Sequence, residues 1–179
     1  SYDDEVIFFN PETPSNCLPF SLDKLVAYQT FFPVVTQLET AGVKCIQSMP
    51  QKKFNLAIIS IPKSKKLARH LIYLATKAVP KGLIIVDGDK SNGIESIIRD
   101  LKKRVNVTHV VSKAHGKTAW FETPADLKIY KDMPLKIEGG LETQAGVFSS
   151  DGVDPASKLL AQLIPRDIKG VGADLGGGW

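Results

Sequence analysis

Between Phe54 and Phe121 the sequence alternates short apolar runs with amphipathic stretches, and few folds accommodate that rhythm. Leu56-Ala-Ile-Ile-Ser-Ile61 is apolar without alternation and stops at Pro62. A strand covered on both faces has this pattern, because neither face can carry polar residues to water. Leu67, Leu71, Leu74, Ala75 and Ala78 then recur at helical spacing, predicting a helix over about 64–79 that Pro80 and Gly82 close. Leu83-Ile-Ile-Val86 is a second apolar strand, running into an Asp87-Gly-Asp89 turn. Ile94, Ile97, Ile98 and Leu101 mark a helix near 92–104, and Val107 to Val111 and Thr118 to Glu122 are strands around a Gly116 turn. Strand–helix–strand–helix–strand order predicts an α/β layered sheet with right-handed crossovers.

The flanks are less regular. Val6-Ile-Phe-Phe9 predicts a strand closed by the turn Asn10 to Pro14. Leu22 to Tyr28 and Val34 to Ala41 suggest helix interrupted at Pro33, and Val43 to Ile46 a further strand. Past Pro124 the periodicity lapses, as at a domain boundary. Leu141 to Ser149 suggests extended chain. Asp154 is a good N-cap ahead of Pro155, with Leu159, Leu160, Leu163 and Ile164 on one face of the helix that follows. Val171 to Leu175 predicts one more strand.

Of the 179 residues, 43% are hydrophobic and 23% charged, enough to bury a core and too apolar for a disordered chain. The absence of a long uninterrupted apolar run argues against a membrane helix. The acidic opening, Ser1 to Asn10, is unlike a secretory leader. Cys17 and Cys45 lack the number for a disulfide framework and the spacing for a metal, so a cytoplasmic location without metal is expected. The missing initiator Met and the end at Trp179, inside a glycine run, suggest a piece of a longer protein. The net charge of +4 conceals a one-sided middle: residues 51–120 hold fifteen basic against four acidic side chains, while both flanks are net acidic. Such a region attracts polyanions, although lysines on solvated helix faces would give the same count.

Three places can carry chemistry. At the C-terminus, Val171-Gly-Ala-Asp174-Leu-Gly176-Gly-Gly178 has the Asp-x-Gly-x-Gly form of an S-adenosylmethionine loop, where glycines let the backbone pass close to the cofactor. A disordered glycine-rich tail is the plain alternative. At Asp87-Gly-Asp89 an apolar strand delivers two carboxylates, as in phosphatases of the haloacid dehalogenase type, but Ser91 and the lack of a downstream acidic pair fit that chemistry poorly. A capped turn into the next helix is the simpler reading. The third place is basic: Lys63, Lys65, Lys66 and Arg69 open one helix, and Arg99, Lys102, Lys103 and Arg104 close the next, followed by Lys113 and Lys117. The first four are candidate RNA contacts. His70, His109 and His115 are too scattered for a metal or a triad.

The segment Gly146-Val-Phe-Ser-Ser-Asp-Gly-Val-Asp154-Pro-Ala-Ser157-Lys-Leu-Leu160, followed by Ala173-Asp-Leu-Gly-Gly-Gly178, resembles the bacterial small-subunit ribosomal RNA methyltransferases of the C type, which methylate guanine at N2. Ile61-Pro-Lys-Ser-Lys65 and Leu83 to Gly88 resemble that family's N-terminal domain, a duplicated methyltransferase fold without its cofactor site.

The resemblance implies a degenerate class I methyltransferase domain, Rossmann-like, over 1–135. It also implies the first elements of a catalytic domain over 141–179. Asp174, Gly176 and Gly178 would then bind S-adenosylmethionine, with Phe148 and Ser149 nearby. The partner would be ribosomal RNA or the small ribosomal subunit, and the exposed guanine amine would attack the sulfonium methyl in line. The family's Asn-Pro-Pro-Phe motif is absent, and Pro62-Lys63 stands where an active first domain would carry its counterpart. No glycine-rich loop follows Val6 to Phe9. The chain by itself is therefore expected to be inactive. A non-catalytic RNA-docking or folding-support module is the alternative.

Overall fold

Strand β1 (Val6–Phe9) lies inside the sheet, and its four side chains are all buried. In the computed structural model, which describes residues 5–124, 126–137, 140–147, 149–165 and 167–173, β1 pairs in parallel with β2 (Leu25–Tyr28) on one side and β4 (Leu56–Ser60) on the other. With β3 (Lys44–Ile46), β5 (Leu83–Asp89), β6 (His109–Lys113) and β7 (Gly116–Glu122), these make a seven-stranded sheet of order β3-β2-β1-β4-β5-β7-β6. The order up to β5 is that of the doubly wound nucleotide-binding sheet. The departure is β7, which lies antiparallel between β5 and β6.

Register sorts the side chains into two layers. Ile7, Phe9, Ala57, Ile59, Ile84, Val86, Ala119 and Phe121 pack on one face under α2 (Lys65–Ala78) and α3 (Ile94–Leu101). Helix α2 starts where Ser64 accepts a hydrogen bond from the Leu67 amide, and it buries Ala68, Leu71, Ile72 and Ala75. Complete burial of Ile72 alone contributes about 1.5–3 kcal/mol. The opposite face, with Val6, Phe8, Leu25, Ala27 and Ile58, is capped by Leu38 of α1 (Phe32–Thr40), Val43 and Cys17.

Several expectations change. Leu22 to Tyr28 is not helical: Leu25 and Ala27 are buried and Val26 and Tyr28 half-buried, a two-residue period set by pairing with β1. Tertiary pairing there overrides local propensity. Pro33 lies in the first turn of α1 rather than interrupting a helix, since its missing N–H falls where no intrahelical bond is made. Asp87-Gly-Asp89 is not a turn either. It continues β5, with Asp87 opposite Thr118 and Asp89 opposite Gly116. The following helix is shorter than predicted, a 3-10 turn at Lys90–Asn92 leading into α3.

Chain contacts divide the protein into Ser1–Lys131 and Asp132–Trp179. In the second unit, β8 (Leu135–Lys136) pairs antiparallel with β9 (Glu142–Thr143). Helix α4 (Pro155–Leu163) begins as its sequence predicts, with the Asp154 carboxylate accepting from the Ser157 amide at 3.0 Å. Its apolar face, Leu159, Leu160 and Leu163, is exposed. Residues 171–173 form no strand, and the remainder of the strand expected there lies outside the described residues.

Candidate functional site

In a doubly wound sheet, ligands bind beyond the carboxyl ends of the strands where the winding reverses. Here that point lies between β1 and β4, and side chains bridge it. Asn10 follows β1 in the left-handed region (φ 59°), which asparagine tolerates better than most residues. Its Nδ2 donates to the Ser60 carbonyl at 3.1 Å, tying the end of β1 to the end of β4. Gln29, 5% exposed, fills the β2 side. Its Nε2 donates to the Pro11 carbonyl at 2.9 Å and its Oε1 accepts from the Thr30 and Phe31 amides at 2.9 and 3.0 Å. Asn92 Nδ2 donates to the Ile61 carbonyl at 3.2 Å. What remains is a crevice of about 420 Å³ with Glu12, Phe31 and Lys63 among its lining residues. S-adenosylmethionine needs a close backbone approach after β1. Asn10, Pro11 and Glu12 offer side chains instead, so these residues do not fit that cofactor.

The predicted basic residues divide by role. Lys63 and Lys65 are exposed at this carboxyl edge. Lys90 lies there too: its amide donates to the His115 carbonyl, bringing the β6–β7 turn with Lys113 beside the end of β5. Lys66, half-buried, follows Lys65 in α2, and Arg69 lies a turn further on. Arg69 is engaged within the fold: its guanidinium pairs with Asp100 at 3.1 Å and packs 5.9 Å from the Tyr130 ring. Asp100 also accepts from the Tyr130 hydroxyl at 2.9 Å and pairs with Arg104 at 3.4 Å. Burial pushes the Asp100 carboxyl up, but Tyr130 and the two arginines outweigh it and hold the group below its usual range. Tyr130 is pushed up to about 12, by burial first and then by Asp100.

The remaining candidates are placed as follows. Asp87 accepts from the Thr118 hydroxyl and Asp89 from the Ser91 amide, so both carboxylates serve backbone and strand contacts rather than a phosphatase pair at a strand end. The Ser91 bonds lower the Asp89 carboxyl. His70 stacks on Tyr73 and His109 on Trp120. No group of three or more metal-ligating side chains occurs among the described residues, and no helix among them is long and apolar enough to cross a membrane. Ser149 closes a turn through its hydroxyl bond to the Gly152 carbonyl. Phe148, Asp174, Gly176 and Gly178 lie outside the described residues. Sequence reasoning missed Gln29 and Phe31. The signal was there in part, as a glutamine joining an apolar run to two phenylalanines and a proline.

Two family models cover most of the chain. The methyltransferase small domain N-terminal model matches residues 17–125, more than half of it, and the methyltransferase small domain model matches residues 138–179. The ribosomal RNA small subunit methyltransferase C of Shewanella loihica is 29% identical over 164 residues, covering 82% of this chain and 47% of that protein. The ribosomal RNA large subunit methyltransferase G of Yersinia enterocolitica is 24% identical over 131 residues, 69% of this chain and 33% of its own. Among solved structures, a 16S rRNA N2 methyltransferase of T. thermophilus, in complex with AdoMet and guanosine, shares the fold with a TM-score of 0.69 at 20% identity. The match covers 88% of this chain and 47% of that one. The chain thus spans about half the length of the small-subunit relative. The doubly wound sheet of the first unit agrees with the fold of that solved relative, and the chain belongs to the methyltransferase small domain N-terminal family.

Proposed function

We propose that this chain is the N-terminal part of an S-adenosylmethionine-dependent methyltransferase that modifies guanine N2 in small-subunit ribosomal RNA, in the cytoplasm. In this reading residues 1–135 form a non-catalytic docking domain. Residues 141–179 begin the catalytic domain, with Asp174, Gly176 and Gly178 at its cofactor loop. The observation that carries the division of labour is the bridged switch point: Asn10 and Gln29 occupy with amide hydrogen bonds the place where a cofactor would enter. The small-domain match over 138–179 supports the location of the cofactor site. The work left to the first domain is binding, and the exposed Lys63 and Lys65, with Lys66 and Arg69 behind them, are the residues proposed to contact RNA phosphates.

The test is filter binding of a small-subunit RNA fragment across a salt series, with methyl transfer from labelled S-adenosylmethionine measured in parallel. The double change Lys63→Glu and Lys65→Glu should weaken binding and flatten the salt dependence by up to about two counterions. The chain alone should transfer no methyl. Unchanged RNA binding by the double variant would remove the docking role, and transfer by the isolated chain would remove the non-catalytic assignment.

A further inference from the structure

The bridged crevice has a feature that closing a redundant cofactor site does not require. Phe31 lines it yet keeps 62% of its surface exposed, and the next residue, Phe32, is 71% exposed. Water contact over large aromatic side chains is unfavourable, and adjacent exposed aromatics commonly mark a contact surface. Phe31 is also held in place. Its amide donates to the side-chain Oε1 of the buried Gln29, and its own carbonyl accepts from the Val34 and Val35 amides at the start of α1. An exposed aromatic on a hydrogen-bonded backbone thus stands beside a cavity whose other lining groups include a cation, Lys63, a carboxylate, Glu12, and the amide of Asn92. Planarity, a flanking positive charge and hydrogen-bonding edges are what an unpaired nucleobase with its phosphate requires.

We propose that this crevice receives a single unpaired nucleotide of the RNA, with its base against Phe31, its phosphate toward Lys63, and Glu12 and Asn92 facing the polar base edge. The proposal rests on the RNA-docking reading above and deepens it, converting a charge-driven contact into one that distinguishes single-stranded from paired RNA.

The experiment uses the 179-residue chain and a single-stranded RNA of about twelve nucleotides carrying one 2-aminopurine, alongside the corresponding duplex. Wild type should quench the 2-aminopurine on binding the single strand. Phe31→Ala should abolish the quench and weaken single-strand binding on the order of tenfold, leaving duplex affinity unchanged. Phe31→Tyr should retain both. Lys63→Glu should weaken binding to both RNAs. Wild-type quench and affinity in Phe31→Ala would overturn the proposal, as would equal losses on single strand and duplex. Competition of the quench by S-adenosylmethionine would also overturn it, assigning the crevice to a cofactor. A wild-type chain that binds neither RNA would overturn the docking reading itself, and this inference with it.

Discussion

Replacing Asp100 by Asn removes the charge at the centre of a clasp joining α2, α3 and the 3-10 turn Lys128–Tyr130. The carboxylate is 16% exposed and receives Arg69 and Tyr130 on one oxygen and Arg104 on the other. Asn keeps the shape but turns an NH₂ toward one set of donors and leaves two guanidiniums without an anion. The arginine side chains are 45% and 34% exposed, so each pair is discounted for solvent to about 0.2–1 kcal/mol. Weakening the charge-assisted bond from Tyr130 to a neutral one adds about 1 kcal/mol. The expected loss is roughly 2 kcal/mol, a fall of about 1 M in the urea midpoint followed by circular dichroism. The sign with pH follows from the depressed carboxyl. Its stabilisation is present above the unfolded carboxylate value, near pH 4, and disappears as pH falls through the lower folded value. The gap between wild type and Asp100→Asn should therefore be constant from about pH 7 to 5 and narrow below about 4. A loss under about 0.5 kcal/mol, or a gap unchanged down to about pH 3, would refute this account of the clasp.

Three further outcomes are expected. Gly82→Ala places a Cβ 2.1 Å from the Asn55 carbonyl oxygen, which also accepts from Leu83, so a loss of about 1–3 kcal/mol should appear in thermal melts, and an unchanged Tm would contradict it. Burial pushes the Cys45 thiol up to about 11 and raises that of the buried Cys17, so neither should react quickly with a disulfide reagent at pH 8 until denaturant is added; rapid native labelling would count against the packing. Tyr130→Phe should cost stability at neutral pH, and that difference should fade as pH rises from about 10 toward 12, the raised hydroxyl value setting the window. A difference that persists unchanged at high pH would show that the hydroxyl does not contribute through its proton.

Legibility followed sequence distance. The stretch from Leu56 to Leu101 announced its strands and helices because each buried face repeats within one element, as in Ile94, Ile97, Ile98 and Leu101. Leu25–Tyr28 was misread because Leu-Val-Ala-Tyr carries no apolar–polar alternation in its sequence, and its buried period is set only by pairing with Val6 to Phe9 upstream. Asp87-Gly-Asp89 looked like a turn from its composition, but its pairing with Gly116 to Thr118 extends the strand. The candidate site was half legible. Lysine density marked the Lys63–Arg69 segment, yet the partnership of Arg69 with Asp100 crosses from one helix to another. The bridge made by Asn10 and Gln29 was illegible for a related reason: amide side chains have no periodicity, and their partners are defined only once three strand ends meet.

The position of β1 has a consequence for the nascent chain. Val6 meets Leu25 nineteen residues later but Leu56 only fifty residues later, so the earliest strand of the sheet gains its second neighbour well after its first. Hairpin β6–β7 closes over a two-residue gap and helices α2 and α3 are local, so the later part of the domain holds its fastest contacts. The β1–β2 pair can then form while the β4 edge of β1 stays open until β4 arrives. During that interval Val-Ile-Phe-Phe is an uncharged β-prone segment with one edge open, the kind of segment through which chains aggregate.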